Sequence, residues 1–549
     1  MGMDGGYLVN SDVISNALTG FAENDANHGY RHIDGFPLGD VYPDRWLSHV
    51  TGGITLRWHP LSWLTASGTT GRDRVMERWS IDDFAPPGTQ FIVDQHEKST
   101  NELTTSALQT SATYRTGIAR GTTTVGLERR VARYVTALTS GGPGLVSFLS
   151  TAVASRSSSA FLLQSVELPP LLTFDVSLQR FTRSLFGASR GEWFPGANVS
   201  MPIALHRSAL SELRLRAAYA EAPGATPDAG VFPQLPSSGQ DYAKLEFERT
   251  KEIEAGVDAS FGERSRLSLT GFRSRATDVM GSSLVIMPNG RVDLSRGTIE
   301  NRGVEGLLQV ALVRAHAFGW DASLSVATLR NRVTQVPGTQ ASSLALGHLE
   351  TGKPLDVPWA IPYTFADANH DGIIDTSEVH LGTPTDVGSP LPTLQTGLGT
   401  SLHLPKGLTI TALADYEHGY AMTDEMGEYR CIAYRNCRGM QDPSAPLSEQ
   451  AAAGAALKAS GLPVMGFVED GSFLKLRELA VHWVVAGAYA HHVGGRAEVT
   501  LAGRNLITFT PYGGSDPEVS SGQPWLLPRR EFARLPIPRE FLLRIDFGT

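Results

Sequence analysis

Residues 539–549 read Arg539-Glu540-Phe541-Leu542-Leu543-Arg544-Ile545-Asp546-Phe547-Gly548-Thr549. In an extended chain successive side chains point to opposite faces. Phe541, Leu543, Ile545 and Phe547 therefore share one face, and Leu542, Arg544 and Asp546 the other. A greasy face backed by a mixed one, closing on an aromatic, is what a strand between lipid and a wet lumen needs. The same alternation recurs upstream. Leu213, Leu215, Ala217 and Tyr219 alternate with Arg214, Arg216 and Ala218. Ile253, Ala255, Val257 and Ala259 alternate with Glu252, Glu254 and Asp258. Further runs lie at 320–326, 398–404, 408–415 and 497–504.

A packed sandwich would show the same period, with the apolar face against a second sheet. Scale separates the two. Units of about 30 residues give roughly 16–20 strands, the size of a large outer-membrane barrel. A soluble core of 549 residues would divide into domains, yet Pro and Gly are spread without a dividing linker. No apolar run reaches the roughly 18 residues a spanning helix needs. The fold expected is all-β: an antiparallel transmembrane β-barrel over 1–549, incomplete as a barrel and located in the outer membrane against its lipid. Long stretches at 335–397 and 417–470 read as loops on one end, with a short helix at Leu447–Ser460. Residues 1–30 hold Asp4, Asp12, Glu23 and Asp25 without an apolar core segment, so no export signal is expected there. The chain reads as a portion of a longer exported protein. With a net charge of −9 and no cluster of Lys and Arg, it offers nucleic acid no electrostatic footprint.

One segment has ligand spacing. Asp367, Asn369, Asp371, Gly372, Asp375 and Glu378 occupy positions 1, 3, 5, 6, 9 and 12 of a calcium loop, and Ile373 offers its carbonyl at position 7. Hard oxygen donors at alternate positions suit Ca²⁺, and an isolated surface loop without flanking helices is expected to use the ion structurally. An Asx-rich turn is the plainer reading. Cys431 and Cys437 suggest a small loop closed by a disulfide in an oxidising compartment; two free thiols are the alternative. Gly187-Ala188-Ser189-Arg190-Gly191 matches G-x-S-x-G, but Pro195 opposes the helix such an elbow needs, so it reads as a turn. His491-His492 lacks further ligands and reads as a loop pair. Trp58, Trp63, Trp320 and Trp483 stand near strand ends, as an interface girdle would place them, while Trp359 and Trp525 lie in loops where sugars could stack. No acid/base or nucleophile constellation stands out, so an enzyme is not expected.

Several segments together resemble the C-terminal barrel of SusC/RagA-type TonB-dependent receptors. Glu252-Ile253-Glu254-Ala255-Gly256 is followed by Ile299-Glu300-Asn301-Arg302-Gly303-Val304-Glu305, similar to that family's "EN-K/R-GVE". Then come Asp367 to Asp375 (DANHDGIID), Ser472 to Leu479 (SFLKLREL), Gly503-Arg504-Asn505-Leu506, and Tyr512 to Val519 (YGGSDPEV), in the family's order. Residues 1–249 fit less well. The resemblance implies a barrel of about 22 strands plugged by a separate domain. It also implies energy from the TonB complex, a SusD-like surface lipoprotein, and an oligosaccharide or peptide cargo. Nothing here resembles the plug or the TonB-contacting segment, so the parent, rather than this portion, is expected to transport. The rivals are a plugless outer-membrane diffusion channel and a secreted calcium-binding β-protein that binds polysaccharide.

Overall fold

A computed structural model describes residues 2–7, 32–33, 36–37, 44–84, 93–142, 145–170, 172–185, 188–204, 210–224, 248–262, 264–286, 292–315, 317–336, 339–340, 350–355, 357–433, 435–459, 463–485, 496–520, 529–532 and 536–548. Among the described residues twenty strands build the walls of the two units set out below. They are β1 (Gly2–Tyr7), β2 (Asp44–Leu61), β3 (Leu64–Phe84), β4 (Val93–Thr116), β5 (Ala119–Gly142), β6 (Leu145–Leu168) and β7 (Leu172–Leu185). Next come β8 (Ala188–Ala204), β9 (Leu210–Pro223), β10 (Arg249–Phe261), β11 (Ser265–Ile286), β12 (Val292–Ala315), β13 (Phe318–Thr328) and β14 (Arg330–Gln335). The remainder are β15 (Thr339–Gln340), β16 (Leu394–Leu404), β17 (Leu408–His418), β18 (Phe473–Val485), β19 (Arg496–Phe509) and β20 (Glu540–Gly548).

The chain forms two compact units. The first holds residues 1–201 with 218–252 and 276–278, the second holds 202–217, 253–275 and 279–549. In the first, β1 pairs with β2, and each strand from β2 to β8 pairs with the next, always antiparallel. In the second, β12 pairs with β13, and β13, β16, β17, β18, β19 and β20 follow one another in antiparallel ladders.

Register converts the alternation of single strands into two chemically distinct faces. In the second unit Leu543 lies beside Leu501, then Val481, Ile410, Leu402 and Trp320, one apolar row across six strands. One residue along, Arg544, Thr500, His482, Thr409 and His403 form the parallel polar row. A slip of one residue in any ladder would exchange the rows. His482 Nδ1 lies 3.0 Å from Thr500 Oγ1 and His403 Nδ1 3.3 Å from Thr409 Oγ1, so the polar row satisfies part of its own hydrogen bonding.

Among the described residues nothing covers the apolar face. Phe541 is 80% exposed, Leu543 64%, Phe547 65% and Leu501 56%. The first unit repeats this with Ile54, Leu56, Trp58, Leu108 and Leu127. A water-soluble sandwich would bury these side chains, whereas a lipid-facing wall exposes them. Trp58 and Trp63 flank the turn after β2, Trp320 follows the turn before β13, and Trp483 precedes the end of β18. Each marks the short-turn end of its strand, where an aromatic belt meets the membrane interface.

Candidate functional site

Connections in the second unit differ sharply at the two strand ends. Two residues separate β12 from β13 and 405–407 make a tight turn, while the connections 341–393, 419–472 and 510–539 leave from the opposite ends. The long connections fold on each other into a cap with its own core. Ile361, Ile374, Val379, Ala451, Ala455, Ala456, Ala459 and Val464 are buried together, with Tyr363, Leu381 and Phe467 packed against them.

The cap contains helices α1 (Glu425–Ile432), α2 (Arg438–Gln441) and α3 (Leu447–Lys458). Alanine favours α3 intrinsically, Glu449 lies in its first turn and Lys458 in its last, as the helix dipole prefers. Its Gln450–Ala456 stretch is buried throughout. Small side chains permit that approach: a Cβ on Gly454 would meet Val379 Cγ2 at 3.2 Å. Gln450 ties the helix to the acidic loop, accepting from Ile374 N at 2.8 Å and donating to Ala445 O at 2.9 Å. Lys458 Nζ donates to Thr376 O at 2.9 Å and Val379 O at 2.6 Å.

The acidic loop itself spans residues 366–378, closed by a ladder between Tyr363–Phe365 and Val379–Leu381. Asp367 accepts from Asp371 N at 3.2 Å and Gly372 N at 3.0 Å. Asn369 Oδ1 accepts from Asp371 N at 3.0 Å, and Asp371 from Ile373 N at 2.8 Å. Asp375 accepts from Ser377 Oγ and from Ser377 N, each at 2.6 Å, and these bonds, the hydroxyl's foremost, hold its carboxyl below the usual carboxylate range. Glu378 accepts from Ala368 N at 2.8 Å and Asp375 N at 3.1 Å. His370 and Gly372 take positive φ, +61° and +78°, which turns the chain sharply. The carboxyls thus brace the loop backbone, and among the described residues no group of three or more His, Cys, Asp or Glu side chains converges as a metal site.

Cys431, in the last turn of α1, and Cys437, the residue before α2, are joined by a disulfide, Cα to Cα 4.9 Å. In α1 Glu428 is buried and accepts from Val464 N at 3.1 Å; burial pushes its carboxyl up to about 7. Burial likewise raises Asp424, the cap of that helix, to about 6. Trp359 sits in a short strand paired with Thr385–Asp386. Ser189 lies within β8, so no helix follows it as a nucleophile elbow requires. Gly187, His491, His492 and Trp525 fall outside the described residues.

A cluster that sequence reading passed over joins cap to wall. Lys475 Nζ, 3% exposed, donates to Asp516 Oδ1 at 2.6 Å and Glu518 Oε2 at 2.7 Å. Arg477 binds Asp415 at 2.7 Å and Glu518 at 2.6 Å. Burial pushes the Glu518 carboxyl up, but the Arg477 and Lys475 donors outweigh it and hold the group below its ordinary range. Two quoted motifs, SFLKLREL and YGGSDPEV, therefore meet as cation against anion. The matching i, i+2 spacing of Lys475 and Arg477 and of Asp516 and Glu518 was the available signal. Beside this cluster a concavity of 690 Å³ on the polar face is lined by Arg216, Glu254, Glu305, Gln395, Asp415 and Glu417 among others.

Comparison with known proteins agrees with this architecture. The family model described as TonB dependent receptor-like, beta-barrel, matches residues 4–404. The TonB-dependent receptor SusC of Bacteroides thetaiotaomicron is 20% identical over 325 residues, covering 51% of this chain and 30% of that protein. The TonB-dependent receptor P26 of Formosa agariphila is 22% identical over 324 residues, 50% of this chain and 32% of P26. These matches thus span about a third of the length of either relative. The solved RagAB peptide transporter superposes with a TM-score of 0.71 at 17% identity, over 92% of this chain and 62% of that one. The ferric citrate transporter FecA superposes at 0.52 and 10% identity, over 85% and 57%. Bare apolar rows, polar rows behind them, an end-to-end asymmetry of connections and the match over most of the sequence lead to one placement: the chain belongs to the TonB dependent receptor-like β-barrels of the outer membrane, with SusC among its relatives.

Proposed function

We propose that this chain supplies barrel wall and surface loops to a TonB-dependent nutrient receptor of SusC/RagA type. In this reading substrate meets the cap and the polar wall beside it, and no residue makes or breaks a covalent bond. The observation that carries it is the Lys475, Arg477, Asp516 and Glu518 cluster, which fixes a long connection to the polar face. Such an anchor suits a loop-built mouth over a polar passage. The partners proposed are a SusD-like surface lipoprotein and the TonB complex, and the cargo an oligosaccharide or a peptide. Uptake of labelled oligosaccharide and peptide pools by the native host, with and without its intact gene, tests this. Gene-dependent uptake that stops when the proton-motive force is collapsed supports a receptor. Uptake that survives collapse indicates a diffusion channel and overturns the proposal.

We further propose that Asp367, Asn369, Asp371, Asp375 and Glu378, with the Ile373 carbonyl, hold a structural Ca²⁺. The donor set fits a hard cation, and the positive φ of Gly372 provides the turn that such a loop uses. The ion would replace some of the backbone partners that the carboxylates now share. Calorimetric titration of the purified protein with Ca²⁺ is expected to give a dissociation constant on the order of 10⁻⁴–10⁻³ M, as in extracellular modules. Asp371→Ala is expected to abolish it. Equal heats from both proteins would remove calcium from the reading.

A further inference from the structure

Strands β3, β4 and β5 lie side by side, and their register sorts charge by sign. Beyond Gly68, Leu108 and Leu127 of one apolar row, the same face carries Arg72, Arg74 and Arg78 of β3, Lys98 of β4, and Arg129 and Arg133 of β5. All six are exposed. Over these rows that face carries one carboxylate, Glu102, which accepts from Arg72 Nη2 at 2.7 Å. The opposite face of the same stretch carries Asp73, Glu77, Glu97 and Glu128 against a single guanidinium, Arg130.

The cations stand where hydrocarbon ends. A cation is costly at mid-bilayer and cheap at its border, and all six lie on the side of the apolar rows nearer the strand ends that the first unit's longer connections, 8–43 and 85–92, leave. Aromatics mark the same border: Arg78 lies 5.4 Å over Trp46 and Arg180 of β7 lies 5.5 Å over Trp193. Through the ladders Arg72 aligns with Thr104, Val131 and Arg156, and Arg156 with Ser184. Relative to that row Arg156 of β6 stands level, Arg129 of β5 lies two residues and Arg180 of β7 four residues nearer the short turns, and Lys98 of β4 six residues farther from them.

We propose that this belt binds the phosphate-bearing headgroups of outer-leaflet lipid. The occupant follows from position and charge. The belt continues the lipid-facing band without a break, and six cations against one carboxylate demand an anionic partner at the height of the headgroups. Guanidinium groups suit phosphate in particular, through paired hydrogen bonds. The inference rests on the outer-membrane placement of the wall and is independent of which nutrient passes.

Native mass spectrometry of the full chain in neutral detergent tests it. The probes are a diphosphorylated, acylated disaccharide lipid and the same lipid enzymatically stripped of phosphate. The phosphorylated lipid is expected to remain bound at about tenfold lower concentration. Combining Arg72→Gln, Arg74→Gln, Arg129→Gln and Arg133→Gln is expected to erase the difference, and Arg130→Gln on the other face to leave it. Inorganic phosphate at the same concentration is expected not to displace the lipid. Equal retention of the two lipids by the unaltered protein overturns the proposal without recourse to any variant. Displacement by free phosphate also overturns it, since a simple anion site would suffice.

Discussion

Gly303 shows how a motif residue earns its place by geometry. The ladder that β12 makes with β13 ends at Glu305 and Ala327, and the one with β14 resumes at Arg302 and Arg330. The partner chain is interrupted between them, and Val304 N donates to Thr328 Oγ1 at 2.9 Å across the break. A Cβ on Gly303 would lie 1.9 Å from Thr328 O, which no backbone tolerates. Gly303→Ala is expected to destabilise the wall by at least the roughly 1–3 kcal/mol of core overpacking. A lower melting temperature of the refolded protein in detergent would show it, and an unchanged one would refute the steric account. The sequence displayed the ENRGVE string as a family feature, but the reason for its glycine was hidden. That reason is a clash with a residue 25 positions away, and such a contact depends on register.

At the scale of elements, α1 and its surroundings form a pH-sensitive unit. Glu428 is buried against Val464 N, with Asp424 and Glu425 as charged neighbours on the same turn. A folded value raised to about 7 from 4.5 means that the folded cap holds a proton which the unfolded chain has released. Stability from that proton is present below the unfolded value and is lost as pH rises through about 7. The full shift corresponds to about 3 kcal/mol. Hydrogen exchange of residues 419–472 is therefore expected to quicken between pH 5 and pH 8, and Glu428→Gln to flatten the dependence. Identical profiles would exclude Glu428 as the cause. The cap also shows the limits of periodicity. The alternation at 398–404 and 408–415 located β16 and β17, and the Ala-rich run located α3. The strands β2 to β8 were not singled out. Their outward faces change from Leu and Trp to Arg and Thr partway along, as on β3 from Ala66 to Arg72, so no single hydropathy pattern runs their length.

For the whole molecule, the decisive question was what covers the apolar rows, and composition cannot answer it. A near-neutral sequence fits a sandwich or a barrel equally. The exposures of Phe541, Leu543 and Leu501 answer it, because among the described residues no second layer lies on them. Leu543→Arg is accordingly expected to cost about 2–4 kcal/mol at mid-bilayer depth. Refolding yield into vesicles should fall accordingly. Arg substituted at Thr500, on the polar row, should leave the yield nearly unchanged. Equal losses at both positions would mean that the faces have been assigned wrongly. The family likeness was legible mainly in residues 250–549, whereas the family model matches 4–404. The earlier strands lack short motifs, and their membership shows in the repeated ladder.

β4, β5 and β6 each run for 24 residues. At about 3.3 Å per residue and an incline near 40°, each climbs about 60 Å, against about 25 Å of oily membrane. More than half of that length therefore stands outside the oily layer, and about a quarter of it beyond the headgroups as well. The far ends of these strands stand clear of the oily layer, among whatever polymers coat the cell, and anything docking on them must reach as high.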